Sequence, residues 1–255
     1  MDDKLNFLIN FLLDEMPREG TYLAKFIKPE SNLLRALMNI RLPKELDPEF
    51  LRAQDEYLRV MNEVKGIVNV NELDEILPGI SLWQGDITRL NADAIVNAAN
   101  EKLLGCFIPC HKCIDNAIHS AAGLQLRDEC NKLMQAQGHD EETGRAKITR
   151  GYNLPAKHVI HTVGPIVSGK LKDSDCVLLE DCYKSCLELA DENKLENIAF
   201  CCISTGEFHF PNDVAAEIAV NTVKNFLPQA QSLKKVIFNV FKDLDLEIYR
   251  RLLES

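Results

Sequence analysis

Nowhere does this 255-residue chain carry an apolar run approaching the roughly 20 residues of a membrane-spanning helix. Its start, Met1-Asp2-Asp3-Lys4, is acidic and unlike a secretory signal. There is no Asn-x-Ser/Thr glycosylation acceptor. The nine cysteines are an odd number and include the neighbours Cys201-Cys202 inside an apolar run. These absences argue for a cytoplasmic, reducing setting with free or metal-bound thiols, no disulfide framework and no membrane partner. Excess positive charge is missing too. A formal net charge of -10 disfavours a nucleic-acid partner, whose footprint would be basic. A small anion stays open, because backbone amides and helix N-termini bind phosphate whatever the overall charge. No Gly-x-Gly-x-x-Gly accompanies a strand, so a dinucleotide fingerprint is absent. Gly164 to Lys170 imitates a P-loop, but Leu171 stands where a magnesium-binding hydroxyl is required.

What is present reads as an ordinary globular chain, 46% hydrophobic and 27% charged, long enough for one α/β core with something left over. Leu5, Leu8, Ile9, Leu12 and Leu13 recur at the spacing of an amphipathic helix. A second helix is expected over Asn32 to Arg41. A third opens with Asp47 as N-cap and Pro48 at the first helical position. From Ile80 onward short strands alternate with helices. Strands are expected at Ile80–Gln84, Ala94–Val96, Ala146–Thr149, His158–Thr162, Ile198–Ile203 and Val236–Phe241. Helices fit at Ile114–Met134, Ser174–Asn193, Asn212–Phe226 and Leu244–Leu253. The pattern is that of an α/β sheet covered on both faces, residues 76–255, behind a helical N-terminal extension, residues 1–75.

The densest chemistry lies in Gly105 to Cys113, where three thiols and an imidazole fall within eight residues. Cys106, His111 and Cys113 suit a tetrahedral Zn²⁺ held by one loop, with the fourth position open for catalysis. A closed structural site would recruit Cys110 as well; that alternative stays open, although adjacent side chains usually diverge and Cys110 directly precedes His111. Asp86, in Gly85-Asp86-Ile87-Thr88, leaves a strand end where such sheets bind ligands, and reads either as an acceptor for an exocyclic amine or as a turn cap. The amides of Asn97-Ala98-Ala99-Asn100 can hydrogen-bond a sugar. Ser204-Thr205-Gly206-Glu207-Phe208 leaves an apolar strand toward a helix, a place for a diphosphate cradle. Of Phe208 and Phe210, one is expected to be core. His158 and His161 read as plain strand residues.

Six segments in order carry a resemblance: Gly85-Asp86-Ile87-Thr88, Asn97-Ala98-Ala99-Asn100, Asp115 with Ala117-Ile118-His119, Ala121-Ala122-Gly123, Val159-Ile160-His161-Thr162-Val163-Gly164-Pro165, and Ile203-Ser204-Thr205-Gly206. Together they resemble the macrodomain family of ADP-ribose binders and hydrolases over residues 78 to 242. Cys106 through Cys113 replaces the family's usual glycine run, which is similar to the zinc-dependent branch of bacteria and some fungi. The resemblance implies a three-layer α/β/α sandwich on a mixed six-stranded sheet. It implies that Asp86 contacts adenine, that Ile87 offers an amide, and that Ser204, Thr205, Gly206 and Glu207 wrap the diphosphate. Phe208 and Asn100 would attend the distal ribose, with Asn100 in the catalytic set beside Asp115, the residue that activates water. Zn²⁺ on Cys106, His111 and Cys113 is the implied cofactor. His209 departs from the glycine usual after the aromatic.

The activity so implied is hydrolysis of mono-ADP-ribose from protein side chains, with an ADP-ribosylated protein as partner; the branch is associated with lipoyl-carrier proteins. Two other readings share the pocket: a module that binds ADP-ribose without turnover, and a deacetylase of O-acetyl-ADP-ribose.

Overall fold

The computed structural model describes residues 2–254, so Met1 and Ser255, the ends of the expected division, lie outside the described residues. Four helices come first: α1 (Asp2–Glu15), α2 (Pro17–Phe26), α3 (Glu30–Ile40) and α4 (Pro48–Lys65). Asp47 caps α4 as its sequence demands, its Oδ1 accepting from the Glu49 and Phe50 amides at 2.7 and 3.0 Å. The helices share a core of their own, in which Leu8, Leu12, Leu34, Leu37 and Phe50 are buried together with Leu124 of the following layer. Arg41 ties α3 to α1 through Glu15, at 2.6 Å from Nε.

The chain then runs β1 (Val68–Asn69), β2 (Glu75–Leu77), β3 (Ile80–Gln84), β4 (Leu90–Asn91), β5 (Ala94–Ala99), α5 (Ile114–Ala122) and α6 (Leu124–Gln137). It continues through β6 (Ala146–Arg150), β7 (His158–Val163), α7 (Asp173–Glu192), β8 (Asn197–Phe200), α8 (Asn212–Phe226), β9 (Lys235–Val240) and α9 (Asp243–Leu253). The main sheet has the order β2-β3-β9-β8-β5-β7-β6. Its five central strands are parallel and its two edges antiparallel. The expected six strands are all there, and the sheet has seven: β2 adds an edge of only three residues, too short to show an alternation of its own. Helices cover both faces, as a parallel sheet of Val and Ile requires. The small pair β1–β4 stands outside that sheet.

One expected helix is two. Ile114–Met134 is broken at Gly123, whose φ of +99° ends α5 and starts α6. A side chain there would collide with Gln54 and Gln125 at 2.7 Å, so the turn is also a point where α4 comes close.

Two features of the sheet make the site. All five parallel strands end at one edge, where open α/β sheets bind ligands. β5 also pairs with β7 along its whole length but with β8 only at Ala94↔Ile198 and Ile95↔Ala199. Past Ile95 the β5–β8 ladder stops. A gap therefore opens at the switch point, between the strand that leads to Asn100 and the strand that leads to Ser204.

Candidate active site

Every loop expected to carry chemistry leaves that edge. Gly85–Thr88 follows β3, Asn100 to Cys113 follows β5, and residues 201–211 follow β8. β3 and β5 lie three strand spacings apart, about 14 Å at the usual separation. That distance sets Asp86 at one end of the row of loops and Asn100 at the other.

At the first end, Asp86 caps a short 3-10 turn: its Oδ1 accepts from Thr88 N at 3.0 Å and Thr88 Oγ1 at 2.7 Å. The cap read from its sequence is present, and Oδ2, not part of it, lies 3.9 Å from Lys65 Nζ. In the middle, residues 203–210 fold on themselves, with Phe210 N donating to Ser204 O at 3.0 Å and His209 N to Gly206 O at 3.1 Å. Ser204 and His209 hold left-handed φ values of +64° and +56°. Among the described residues, the amides of Ile87, Gly206, Glu207 and Phe208 donate to no protein acceptor. Such amides at strand ends are anion donors. Phe210 is core at 1% exposure, while Phe208 is half-buried at the surface, so one aromatic of the pair is structural as expected.

The far end holds the titratable groups. Cys113 caps α5 with its sulfur, 3.4 Å from Asn116 N, which puts Asp115 on the first turn, against Asn97 of β5. Asp115 Oδ1 accepts from Asn97 Nδ2 at 2.8 Å, and Oδ2 from Asn100 Nδ2 at 3.3 Å. His119, one turn on, sits 3.5 Å from Oδ1. Burial pushes the Asp115 carboxyl up to about 6, against the lowering by Asn97 and the Arg127 charge. Near neutrality it is therefore mostly ionised yet basic enough to take a proton. Asn97 is the hub: its amide also donates to His161 Nδ1 at 3.2 Å.

Beside Asp115, the donor atoms of Cys106, His111 and Cys113 all lie within 4.8 Å of one another, with Cys106 Sγ 3.7 Å from His111 Nδ1. Tetrahedral zinc, with bonds near 2.3 Å to sulfur and 2.0–2.1 Å to nitrogen, separates its ligands by roughly 3.5–3.8 Å. The three residues thus fit such an ion in chemistry, and the Cys106–His111 pair in spacing. Cys110 is outside this group: its thiol faces Asn32 O at 3.2 Å. Glu207 Oε1 lies 3.8 Å from His111 Nε2, so the loop after β8 touches the loop after β5. A second convergence, His119 with Cys130 and His161, is fully buried. There His161 is already engaged on both nitrogens, by Asn97 and by Thr149 Oγ1 at 2.9 Å. Among the described residues His119, by contrast, has no hydrogen-bond partner on either ring nitrogen.

Sequence reasoning passed over the supports of the site. Asn97 was visible as an amide of Asn-Ala-Ala-Asn, without its partners. Asn116, next to Asp115, donates to the Ile108 carbonyl at 3.0 Å and so closes the loop. Arg127, buried and lowered to about 10 by desolvation, donates to Leu104 O at 2.7 Å and stacks over Phe107 at 4.4 Å.

The fold and site together place three loops at the carboxyl ends of a parallel sheet, with the buried carboxylate of Asp115 among them. Residues 96–219 match the Macro domain family. A protein of Treponema medium named protein-ADP-ribose hydrolase is 50% identical over 252 residues, covering 97% of both chains. Among solved structures, a Trypanosoma brucei macrodomain in complex with ADP-ribose superposes with a TM-score of 0.67 at 31% identity. It covers 83% of this chain and 93% of its own. An Oceanobacillus iheyensis macrodomain variant with ADP-ribose gives 0.63 at 38% identity, over 69% of this chain and 91% of its own. The chain belongs to the macrodomain family.

Proposed function

We propose that this protein is a hydrolase that removes mono-ADP-ribose from modified protein side chains, using Zn²⁺ bound by Cys106, His111 and Cys113. The observation that carries the reading is the place of Asp115: buried, held by Asn97 and Asn100, and two residues beyond a soft-donor loop at the carboxyl end of β5. The names of near full-length relatives support the activity. Macrodomain structures with ADP-ribose support the ligand.

In this reading Asp86 meets the adenine and the Ile87 amide the adjoining phosphate. The amides of Gly206, Glu207 and Phe208, with Ser204 and Thr205, receive the diphosphate. Phe208 covers the distal ribose and Asn100 holds one of its hydroxyls. Anchoring so far from the reacting bond is useful only insofar as it places the anomeric carbon. When bound, zinc supplies a Lewis acid for ribose hydroxyls or water, softened by two thiolates. Asp115 takes the proton of a water whose oxygen bonds to the anomeric carbon as the bond to the side-chain oxygen breaks. Free ADP-ribose and the unmodified side chain leave. The substrate is an ADP-ribosylated protein; a lipoyl carrier is the partner that the zinc-dependent branch suggests. A cytoplasmic, reducing setting suits a loop of unpaired thiols.

The test is Asp115→Ala on a carboxylate-modified protein. Turnover should fall by about 10²–10⁴-fold, the range of general acid–base catalysis, with ADP-ribose affinity retained. Unchanged turnover would remove Asp115 from the mechanism. Wild-type protein that binds ADP-ribose tightly and releases none from any modified protein would make this a reader module. Preference for O-acetyl-ADP-ribose over a modified protein would make it a deacetylase.

A further inference from the structure

Helix α3 reaches across more than 70 positions of sequence to grip the loop that holds Cys106, His111 and Cys113. Asn32, Arg35 and Asn39 are spaced three and four apart, so they share one face of the helix. Arg35 Nη2 donates to the carbonyl of His111 at 3.0 Å, one backbone bond from a zinc ligand. Its Nε and Nη2 fork onto Asn116 Oδ1 at 3.0 and 2.7 Å. Asn116 in turn donates to the carbonyls of Cys106, at 3.4 Å, and Ile108. Asn39 Oδ1 accepts from the Cys110 amide at 2.9 Å, while its Nδ2 donates to Ser120 on α5 at 3.0 Å. One helix therefore holds the donor loop directly at Cys110 and His111, and at Cys106 and Ile108 through Asn116 of α5.

A second observation agrees. Cys110 sits at φ +54°, a left-handed conformation that a non-glycine residue keeps only where its surroundings impose it. Asn39 holds its amide and Asn32 O receives its thiol. Arg127 closes the grip from below, donating to Met38 O and Arg41 O at the end of α3 at 2.8 and 2.6 Å, and to Leu104 O in the loop.

The geometry points to Arg35 and Asn39 as positioning residues of the metal centre: α3 presets the Cys106–His111–Cys113 loop so that a cation meets donors already in place. The inference rests on the zinc reading of that loop. Neither residue touches the metal or the sugar; they act through Asn116 and the backbone of Cys110 and His111. Partners behind metal ligands typically set affinity by 10–100-fold.

The experiment measures zinc affinity of the full chain by competition with a chromophoric chelator. Calorimetric titration of ADP-ribose is run beside it, on wild type, Arg35→Ala, Arg35→Lys and Asn39→Ala. Arg35→Ala and Asn39→Ala should weaken zinc by about 10–100-fold with ADP-ribose affinity within about twofold of wild type. Arg35→Lys should not rescue, because an ammonium cannot make the guanidinium fork. In the cobalt-loaded variants the absorption of the thiolate-bound ion should shift. Zinc affinity unchanged in both alanine variants would overturn the inference while leaving the zinc reading intact. Parallel loss of zinc and ADP-ribose binding would also overturn it, as general destabilisation. Wild type without tight zinc removes both readings.

Discussion

The two loops that meet at the β5–β8 gap are held in opposite ways. The loop from Leu104 to Cys113 makes few bonds to itself and is fixed from outside, by Arg35, Asn39, Asn116 and Arg127. The loop from Ile203 to Phe210 is fixed mainly from within, by its own backbone bonds, with Phe210 sunk in the core. In the proposed reading the difference follows from what each would present. Side-chain donors for a cation need a rigid frame around them, and buried side-chain hydrogen bonds provide it. Amides for a phosphate need a backbone that has turned its N–H groups outward, at a cost in strained φ at Ser204 and His209. The first loop would set chemistry and the second affinity.

Three substitutions separate those roles. Cys113→Ala should lose zinc and lower turnover on the order of 10²-fold or more, while ADP-ribose affinity stays within about threefold. Metal analysis and calorimetry on the same preparation check it, and a matching loss of affinity would show the loops to be one unit. Gly164→Ala tests the other side. A Cβ at Gly164 would lie 2.0 Å from Ser204 Oγ and 2.9 Å from Ile203 Cγ2, so the end of β7 would press on the second loop. ADP-ribose should bind about tenfold more weakly, about 1.4 kcal/mol, with zinc content unchanged. A fall in zinc would erase the distinction. His209→Gly is the mildest. Relief of a left-handed non-glycine residue, about 1–2 kcal/mol, exceeds the added chain entropy of glycine, so unfolding by denaturant should show a gain of about 0.5–1 kcal/mol. A loss would mean that the His209 side chain carries more than its backbone costs.

How much of this was legible in the sequence depended on distance along the chain. Asp47-Pro48 announced α4, and alternating β and α segments gave the three layers, because those signals are local. Helix α2 was missed, and its first turn, Pro17-Arg18-Glu19-Gly20, shows why. Gly20 is a poor helix former by propensity and is buried there against Leu13. Gly123 was quoted for its motif and still not read as a break, since only the closeness of Gln54 reveals why a glycine is there. The donor set Cys106, His111 and Cys113 was legible because one short loop contains it. Its supports were not: Arg35 meets Asn116 at 81 positions' separation, Arg127 meets Met38 at 89, and Asn97 meets His161 at 64. Nothing in an isolated Arg or His on a periodic element marks such a partner.

The burial of His161 bears on the protein's tolerance of acid. By donating to His161 Nδ1, Asn97 leaves the ring proton on Nε2, facing Thr149, and burial holds this neutral imidazole down to about 3. An unfolded His161 would take up a proton near pH 6.5. Below that pH the unfolded chain binds a proton that the native one refuses, so native stability drains as pH falls from about 6.5 toward 3. This ring alone costs about 1.4 kcal/mol per pH unit within that window. The burial of one imidazole thereby sets a cost in acid that the whole fold bears.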